Sequence, residues 1–136
     1  MDKVEFTWKV RVYWEDTDAG GIVFYANYLK FFERARTEWL RSLGIQQQRL
    51  LGETGGMFVV AKTSINYLRP ARLDDELIVT ASLQQRGRAS ITIDQQVLRK
   101  NTVLCEGTIR IGWVNVVSMQ PGRIPQNIIE SLRPAT

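Results

Sequence analysis

Between residues 27 and 43 the apolar residues recur at three- and four-residue steps, and this is the longest such run in the chain. Tyr28, Phe32, Ala35, Trp39 and Leu43 form the stripe, widened by Leu29, Phe31 and Leu40. Lys30, Glu33, Arg34, Thr37, Glu38 and Arg41 occupy the other positions. This pattern predicts an amphipathic helix with a broad aromatic face. Gly44, just after Arg41, is a suitable stop. Such a helix is roughly 25 Å long, about the width of a small sheet. It needs a sheet to bury its aromatic face, and the rest of the chain supplies the pattern of one.

Residues 4–14 alternate, with Val4, Phe6, Trp8, Val10, Val12 and Trp14 on one side and Glu5, Thr7, Lys9, Arg11 and Tyr13 on the other. Four more alternating stretches follow. Residues 58–68 put Val59, Ala61, Thr63, Ile65 and Tyr67 on one face, and residues 76–85 do the same with Leu77, Val79, Ala81 and Leu83. In residues 88–99 the apolar face is Ala89, Ile91, Ile93 and Val97; in 102–117 it is Val103, Cys105, Ile109, Ile111 and Trp113. Turns fall at Asp74-Asp75, Arg86-Gly87 and Lys100-Asn101. A short helical turn is expected at 46–51, ended by Gly52, Gly55 and Gly56, and a terminal helix at 126–132. Strands joined by short turns pair antiparallel, so the expectation is a single α+β domain over 1–136. Val60, Leu68, Leu104 and Val114 lie on the opposite faces of their strands. One helix cannot cover that surface as well, so a homo-oligomer is expected in which sheets or edges meet.

Composition removes whole classes of chemistry. The chain of 136 residues contains no histidine and one cysteine, Cys105. Ser-His-Asp and Cys-His catalysis are excluded, and neither a disulfide nor a thiolate zinc site can form within the chain. Phosphate-binding and dinucleotide-binding glycine motifs are absent. Glu15, Asp16 and Asp18 lack the spacing of a calcium loop, and no metal is expected. A net charge of +4 favours anionic partners mildly, but the charges are interleaved, so nucleic acid is not expected. No apolar run reaches the ~20 residues of a membrane span. With no apolar leader at Met1-Asp2-Lys3-Val4-Glu5, the expected location is the cytoplasm.

What remains is the stretch 15–28, where three carboxylates and Gly20-Gly21 connect the first strand to the long helix. Hydrolysis of an activated acyl group needs a nucleophile or base, and donors for the oxyanion. Asp18 can attack directly or activate water. Free N–H groups at the helix start, near Tyr25 and Ala26, can hold an oxyanion with help from the helix dipole. A thioester suits this equipment, because its thiol leaving group, of pKa near ~8.5, needs little acid assistance. Taken alone, the same residue types fit turn and N-cap residues better, because acidic glycine turns before helices are common.

The motif extends beyond the turn. Asp16-Thr17-Asp18-Ala19-Gly20-Gly21-Ile22-Val23, Asn27-Tyr28 and the run from Phe31 through Glu33-Arg34-Ala35-Arg36-Thr37-Glu38 to Leu40 closely resemble the hot-dog-fold acyl-CoA thioesterases of the 4-hydroxybenzoyl-CoA thioesterase family. Tyr67-Leu68-Arg69-Pro70-Ala71-Arg72-Leu73-Asp74-Asp75 and Arg86-Gly87-Arg88 are similar to the bacterial Tol-Pal-associated members. The resemblance weakens after about Val117. It implies a hot-dog fold, a curved antiparallel sheet of about five strands wrapped around one long helix at about 27–43. It implies dimers with a continuous sheet, often paired into tetramers, with active sites at the dimer interface. The family's catalytic aspartate falls on Asp18 and its oxyanion donor on the Tyr25 backbone N–H. The arginine and serine that bind CoA in aryl relatives fall on Arg88 and Ser90, with Arg86 beside them. Many Tol-Pal-type members carry histidine where this chain has Tyr25; the aryl-CoA relatives carry tyrosine.

The resulting expectation is an acyl-CoA thioester hydrolase that releases free acid and CoA, with no cofactor beyond the CoA of its substrate. The alternative is a non-catalytic module that binds acyl-CoA or acyl carrier protein. Arg69, Arg72 and Lys62 are further candidates for the CoA phosphates. Tyr28, Phe31, Phe32 and Trp39 are core residues first, and Glu15 and Asp16 are structural.

Overall fold

The computed structural model describes residues 5–132, so Val4 of the first alternating stretch lies outside the described residues. Among the described residues the chain forms β1 (Phe6–Arg11), α1 (Asn27–Ser42), α2 (Gln47–Thr54), β2 (Gly56–Tyr67), β3 (Glu76–Arg86), β4 (Ser90–Arg99), β5 (Thr102–Asn115) and α3 (Gln126–Ser131). The strands form one antiparallel sheet in the order β1-β3-β4-β5-β2. The sheet wraps α1, which packs mainly against β3, β1 and β4.

The aromatic stripe is the core. Tyr28, Phe31, Phe32, Ala35, Trp39 and Leu40 are buried against Leu77, Val79, Ala81, Ile93 and Val97 of β3 and β4. Gly44, at φ 82°, ends α1, and Gly55, at φ 73°, ends α2; both take the left-handed conformation that glycine adopts at little cost. Gly52 lies inside α2 and Gly56 opens β2.

Three local details depart from simple alternation. The first strand stops at Arg11, and Trp14 enters a short 3-10 turn, Trp14–Asp16, where it is 76% exposed. In β2 the register shifts between Val60 and Lys62, leaving Ala61 as an extra residue. Val60, opposite Ile111, therefore shares the inner face with Thr63, Ile65 and Tyr67. Finally, Leu104 and Val114 are buried within the chain, whereas Val60 and Leu68 remain exposed. Val60 and Tyr67 thus leave apolar surface open on β2, an edge strand, alongside exposed side chains elsewhere such as Trp14, Phe24 and Leu29.

Candidate active site

The segment between β1 and α1 is held by backbone bonds. Thr17 and Val23 form an antiparallel bridge, and the Asp18 N–H donates to the Ile22 carbonyl at 2.9 Å. Gly21, at φ 77°, closes the hairpin with its N–H on the Asp18 carbonyl at 3.0 Å. Val23 N–H donates to the Ala71 carbonyl, tying the hairpin to the loop before β3.

The three acids separate into different roles. Asp16 is buried; its Oδ2 accepts from the Tyr13 N–H at 2.9 Å, and its carbonyl accepts from the Phe24 N–H and the Asn27 side-chain amide. It braces the entry to α1, as expected of a structural residue. Glu15 is exposed in the 3-10 turn. Asp18 is exposed, and its Oδ1 accepts from the Gly20 N–H at 2.8 Å. Its Oδ2 takes no bond among the described residues. Neither aspartate caps the helix, because α1 begins without a side-chain cap.

That uncapped start leaves donors open. Among the described residues no hydrogen bond uses the N–H of Tyr25 or Ala26. The turn is fixed instead through its acceptors. Phe24 carbonyl receives the Asn27 N–H at 2.8 Å, and Tyr25 carbonyl receives the Tyr67 hydroxyl at 3.2 Å. Tyr25, Tyr67 and Tyr28 stack edge-on or tilted, with ring centroids 5.6–6.1 Å apart. Tyr28 is buried, its hydroxyl accepts the Ala71 N–H, and burial pushes its phenol pKa above the usual value. Ile22, Val23, Tyr25, Tyr28, Tyr67 and Leu68 line a mainly apolar cavity of about 240 Å³ there. A larger polar concavity of about 540 Å³, near Thr80, Asp94, Glu106 and Thr108, lies away from these donors.

Arg86, Arg88 and Ser90 are elsewhere in the chain. Ser90 pairs with Gly112, which pairs with Val59. Tyr67, beside Tyr25, is eight residues further along β2, roughly 25 Å at strand rise. Arg88 is exposed next to Ser90. Arg86 Nη1 is already engaged, donating to the carbonyls of Ile129 and Leu132 at the end of α3. Sequence periodicity gave no sign of that bond, nor of a buried polar chain in the core. There Gln95 donates to the carbonyls of Phe32 and Thr80 and accepts from the Arg36 guanidinium.

Among the described residues no cluster of three or more acids or cysteines is arranged to hold a metal, and no helix is long and apolar enough to cross a membrane.

Comparison with known proteins gives one consistent result. The profile of the Thioesterase superfamily matches residues 20–106, starting two residues after Asp18. The acyl-CoA thioesterase YbgC of Haemophilus influenzae is 43% identical over 123 residues, 90% of each chain. The acyl-CoA thioester hydrolase YbgC of Escherichia coli is 40% identical over 134 residues, 98% of this chain and 99% of that one. Among solved structures, a "Probable Thioesterase" from Bartonella henselae superposes with a TM-score of 0.84 at 32% identity, covering 90% of this chain and all of the other. The sheet wrapped on α1 is the hot-dog fold, and the chain belongs to the thioesterase superfamily.

Proposed function

We propose that this protein is an acyl-CoA thioester hydrolase in which Asp18 is the nucleophile or general base and the Tyr25 N–H is the oxyanion donor. One observation carries the reading: a carboxylate with a free oxygen and a helix start with unsatisfied N–H groups are joined by a single braced hairpin beside an apolar cavity. In the general-base form, Asp18 takes a proton from water as the water oxygen attacks the thioester carbonyl. The oxyanion forms against the Tyr25 N–H and the positive end of α1. Collapse expels the CoA thiolate, which takes up the proton and leaves the free acid. In the nucleophilic form, Asp18 bonds to the acyl carbon, CoA leaves, and water hydrolyses the mixed anhydride.

Arg88 and Ser90 bind the nucleotide part of CoA in this reading, and they come from a second copy. The exposed inner face of β2 supports that assembly, because Val60 and Tyr67 sit uncovered at 53% and 48% exposure on an edge strand. Two copies joined edge to edge at β2 continue the sheet, and such dimers pair into tetramers. The protein acts in the cytoplasm, alongside the Tol-Pal-associated enzymes it resembles. Arg86 acts first as a support for α3. Acyl carrier protein is a second donor of the acyl group.

The test is release of CoA from a panel of acyl-CoAs by the wild type and Asp18→Asn. Asparagine keeps the acceptor for the Gly20 N–H, so the hairpin persists while the charge is lost. A loss of at least roughly a hundredfold in kcat is expected. Equal rates would refute the assignment of Asp18, and tight acyl-CoA binding without turnover in the wild type would support a binding module instead. Label found in Asp18 after single-turnover hydrolysis in labelled water marks the nucleophilic form with water entering at the Asp18 carboxyl carbon of the anhydride, a step that the general-base form lacks.

A further inference from the structure

The start of α1 is held by a side chain that donates where a helix cap would accept. Of residues 24–30 only Asn27 has a side chain of the kind that caps helices. It does not cap: α1 begins at Asn27, with Ala26 before it, and has no side-chain cap. The Asn27 amide instead reaches back eleven residues, and its Nδ2 donates to the Asp16 carbonyl at 2.8 Å. A carbonyl can only accept, so this contact fixes which end of the amide faces Asp16. The same carbonyl accepts the Phe24 N–H at 3.0 Å, and the Asn27 N–H donates to the Phe24 carbonyl at 2.8 Å.

These three bonds link Asp16, Phe24 and Asn27 in a closed triangle at the root of the hairpin. Asp16 lies two positions before Asp18, and Phe24 one before Tyr25. Asp16 is itself fixed, with its N–H on the Tyr13 carbonyl and its Oδ2 accepting from the Tyr13 N–H. The bridge between Thr17 and Val23 closes the hairpin next to the triangle. Asn27 therefore ties the first turn of α1 to both arms of the hairpin, one leading to the proposed carboxylate and the other to the proposed donor. A capping oxygen would hold the helix start equally well. It would also sit among the N–H groups there and compete with an oxyanion for the positive end of the helix. A side chain that donates away from the helix holds the same turn and leaves that end open.

We propose that Asn27 is a positioning residue for the hydrolysis: by tying the first turn of α1 to Asp16, it sets the Asp18 carboxylate at its working distance from the Tyr25 N–H. This rests on the thioesterase reading above. The amide faces the backbone, so Asn27 acts through Asp18 and Tyr25 and not on the acyl group. Reaction at the thioester carbon needs the attacking oxygen and the donor on one carbonyl at the same moment. Slack in their separation is therefore felt in the chemical step and hardly in binding. Without the tether, Phe24 keeps its own bond to Asp16, so the hairpin persists with a looser join to the helix.

The experiment measures kcat and KM for Asn27→Ala in two backgrounds, the wild type and Asp18→Asn, with the best acyl-CoA of the panel. In the wild-type background kcat is expected to fall about tenfold, with KM changed by less than about twofold. In the Asp18→Asn background the same substitution is expected to cost less than about twofold, because no carboxylate remains to be set against the donor. A merely structural role would lower both backgrounds alike. An unchanged kcat, a loss carried by KM, or an equal loss in both backgrounds overturns the proposal and leaves the thioesterase reading standing. Equal rates for the wild type and Asp18→Asn overturn that reading, and the proposal with it. If Asp18→Asn turns over too slowly to measure, an uncleavable thioether analogue of the same acyl-CoA decides. Unchanged binding to Asn27→Ala beside the tenfold loss of kcat supports the proposal, and weakened binding refutes it. If Asn27→Ala does not fold, Asn27→Asp takes its place. It has the same shape, and a negative charge at the first helical position favours α1, but its carboxylate cannot donate to the Asp16 carbonyl. The same pattern of losses is expected, and a full kcat overturns the proposal.

Discussion

The hydroxyl of Tyr67 donates to the backbone carbonyl of Tyr25 across 3.2 Å and ties the end of β2 to the turn that opens α1. The Tyr25 carbonyl shares its peptide unit with the Ala26 N–H, while the proposed oxyanion donor, the Tyr25 N–H, sits in the unit before, so the bond holds the backbone directly after the donor without competing for its hydrogen. Tyr67→Phe removes the bond and keeps the ring contacts with Tyr25 and Tyr28. The bond is partly exposed and worth about 0.5–1.5 kcal/mol, so kcat is expected to fall roughly two- to tenfold with little change in thermal stability. Steady-state kinetics beside a melting curve test this. An unchanged kcat would remove Tyr67 from the positioning of the site.

Arg86 can be assigned by separating binding from stability. Its guanidinium holds the Ile129 and Leu132 carbonyls, where the last acceptors of α3 lack helical donors. Arg86→Ala is expected to destabilise the protein by about 1–2 kcal/mol through charge-assisted bonds lost at that helix end. KM for acyl-CoA should change by less than about twofold, because the phosphates are met by other groups. A raised KM with an unchanged denaturation midpoint would return Arg86 to the CoA site.

Arg36 and Arg86 mark the boundary of what the sequence makes legible. Periodicity found α1 to within a residue of its end, every strand of the sheet and the short helices, because burial enforces period and each segment is long. It misjudged Trp14, since the chain needed to leave the strand early to bring Asp16 under Tyr13, a requirement no alternation records. It grouped Val59 and Ala61 on one face with Thr63, Ile65 and Tyr67, because a bulge shifts register without changing composition. Asp18 and Tyr25, the proposed pair, could be named together from sequence because one hairpin joins them. The roles of Arg36 and Arg86 could not. Arg36 sits in a run of charged residues and Arg86 in a turn beside Arg88, and the bonds of each depend on partners, Gln95 and Leu132, that lie 59 and 46 positions away.

Cys105 gives a pH prediction. It is buried in β5, and burial, reinforced by Glu106, pushes its thiol pKa up from 9.0 to about 12. The unfolded chain releases this proton at about its ordinary pKa, while the folded chain retains it. The contribution to stability is therefore complete below pH 9 and is lost as pH rises from 9 towards 12, with a limiting slope of about 1.4 kcal/mol per pH unit. Tyr28, also raised by burial, adds a loss of the same sign at higher pH. Denaturant midpoints between pH 7.5 and 10.5 should fall more steeply for the wild type than for Cys105→Ala. Parallel curves would show that the thiol ionises without unfolding. The native thiol should also resist alkylation at pH 8.

The separation between Asp18 and the pair Arg88 and Ser90 predicts complementation between damaged subunits. Within one chain Ser90 lies beside the Val59 end of the β2 ladder and Tyr25 beside the Tyr67 end, so the proposed site takes Asp18 and Tyr25 from one copy and Arg88 and Ser90 from another. Asp18→Asn and the double variant Arg88→Ala/Ser90→Ala should each be impaired alone at substrate concentrations below KM. After denaturation and refolding together, a mixed dimer carries one site with both defects and one with neither. Random pairing of equal amounts makes half the dimers mixed, so the expected recovery is about a quarter of wild-type activity. If each site were built from a single chain, every site in the mixed dimer would carry one defect and nothing would be regained. The same mixture sedimenting as a monomer, with the wild type fully active as a monomer, would also rule out the shared site.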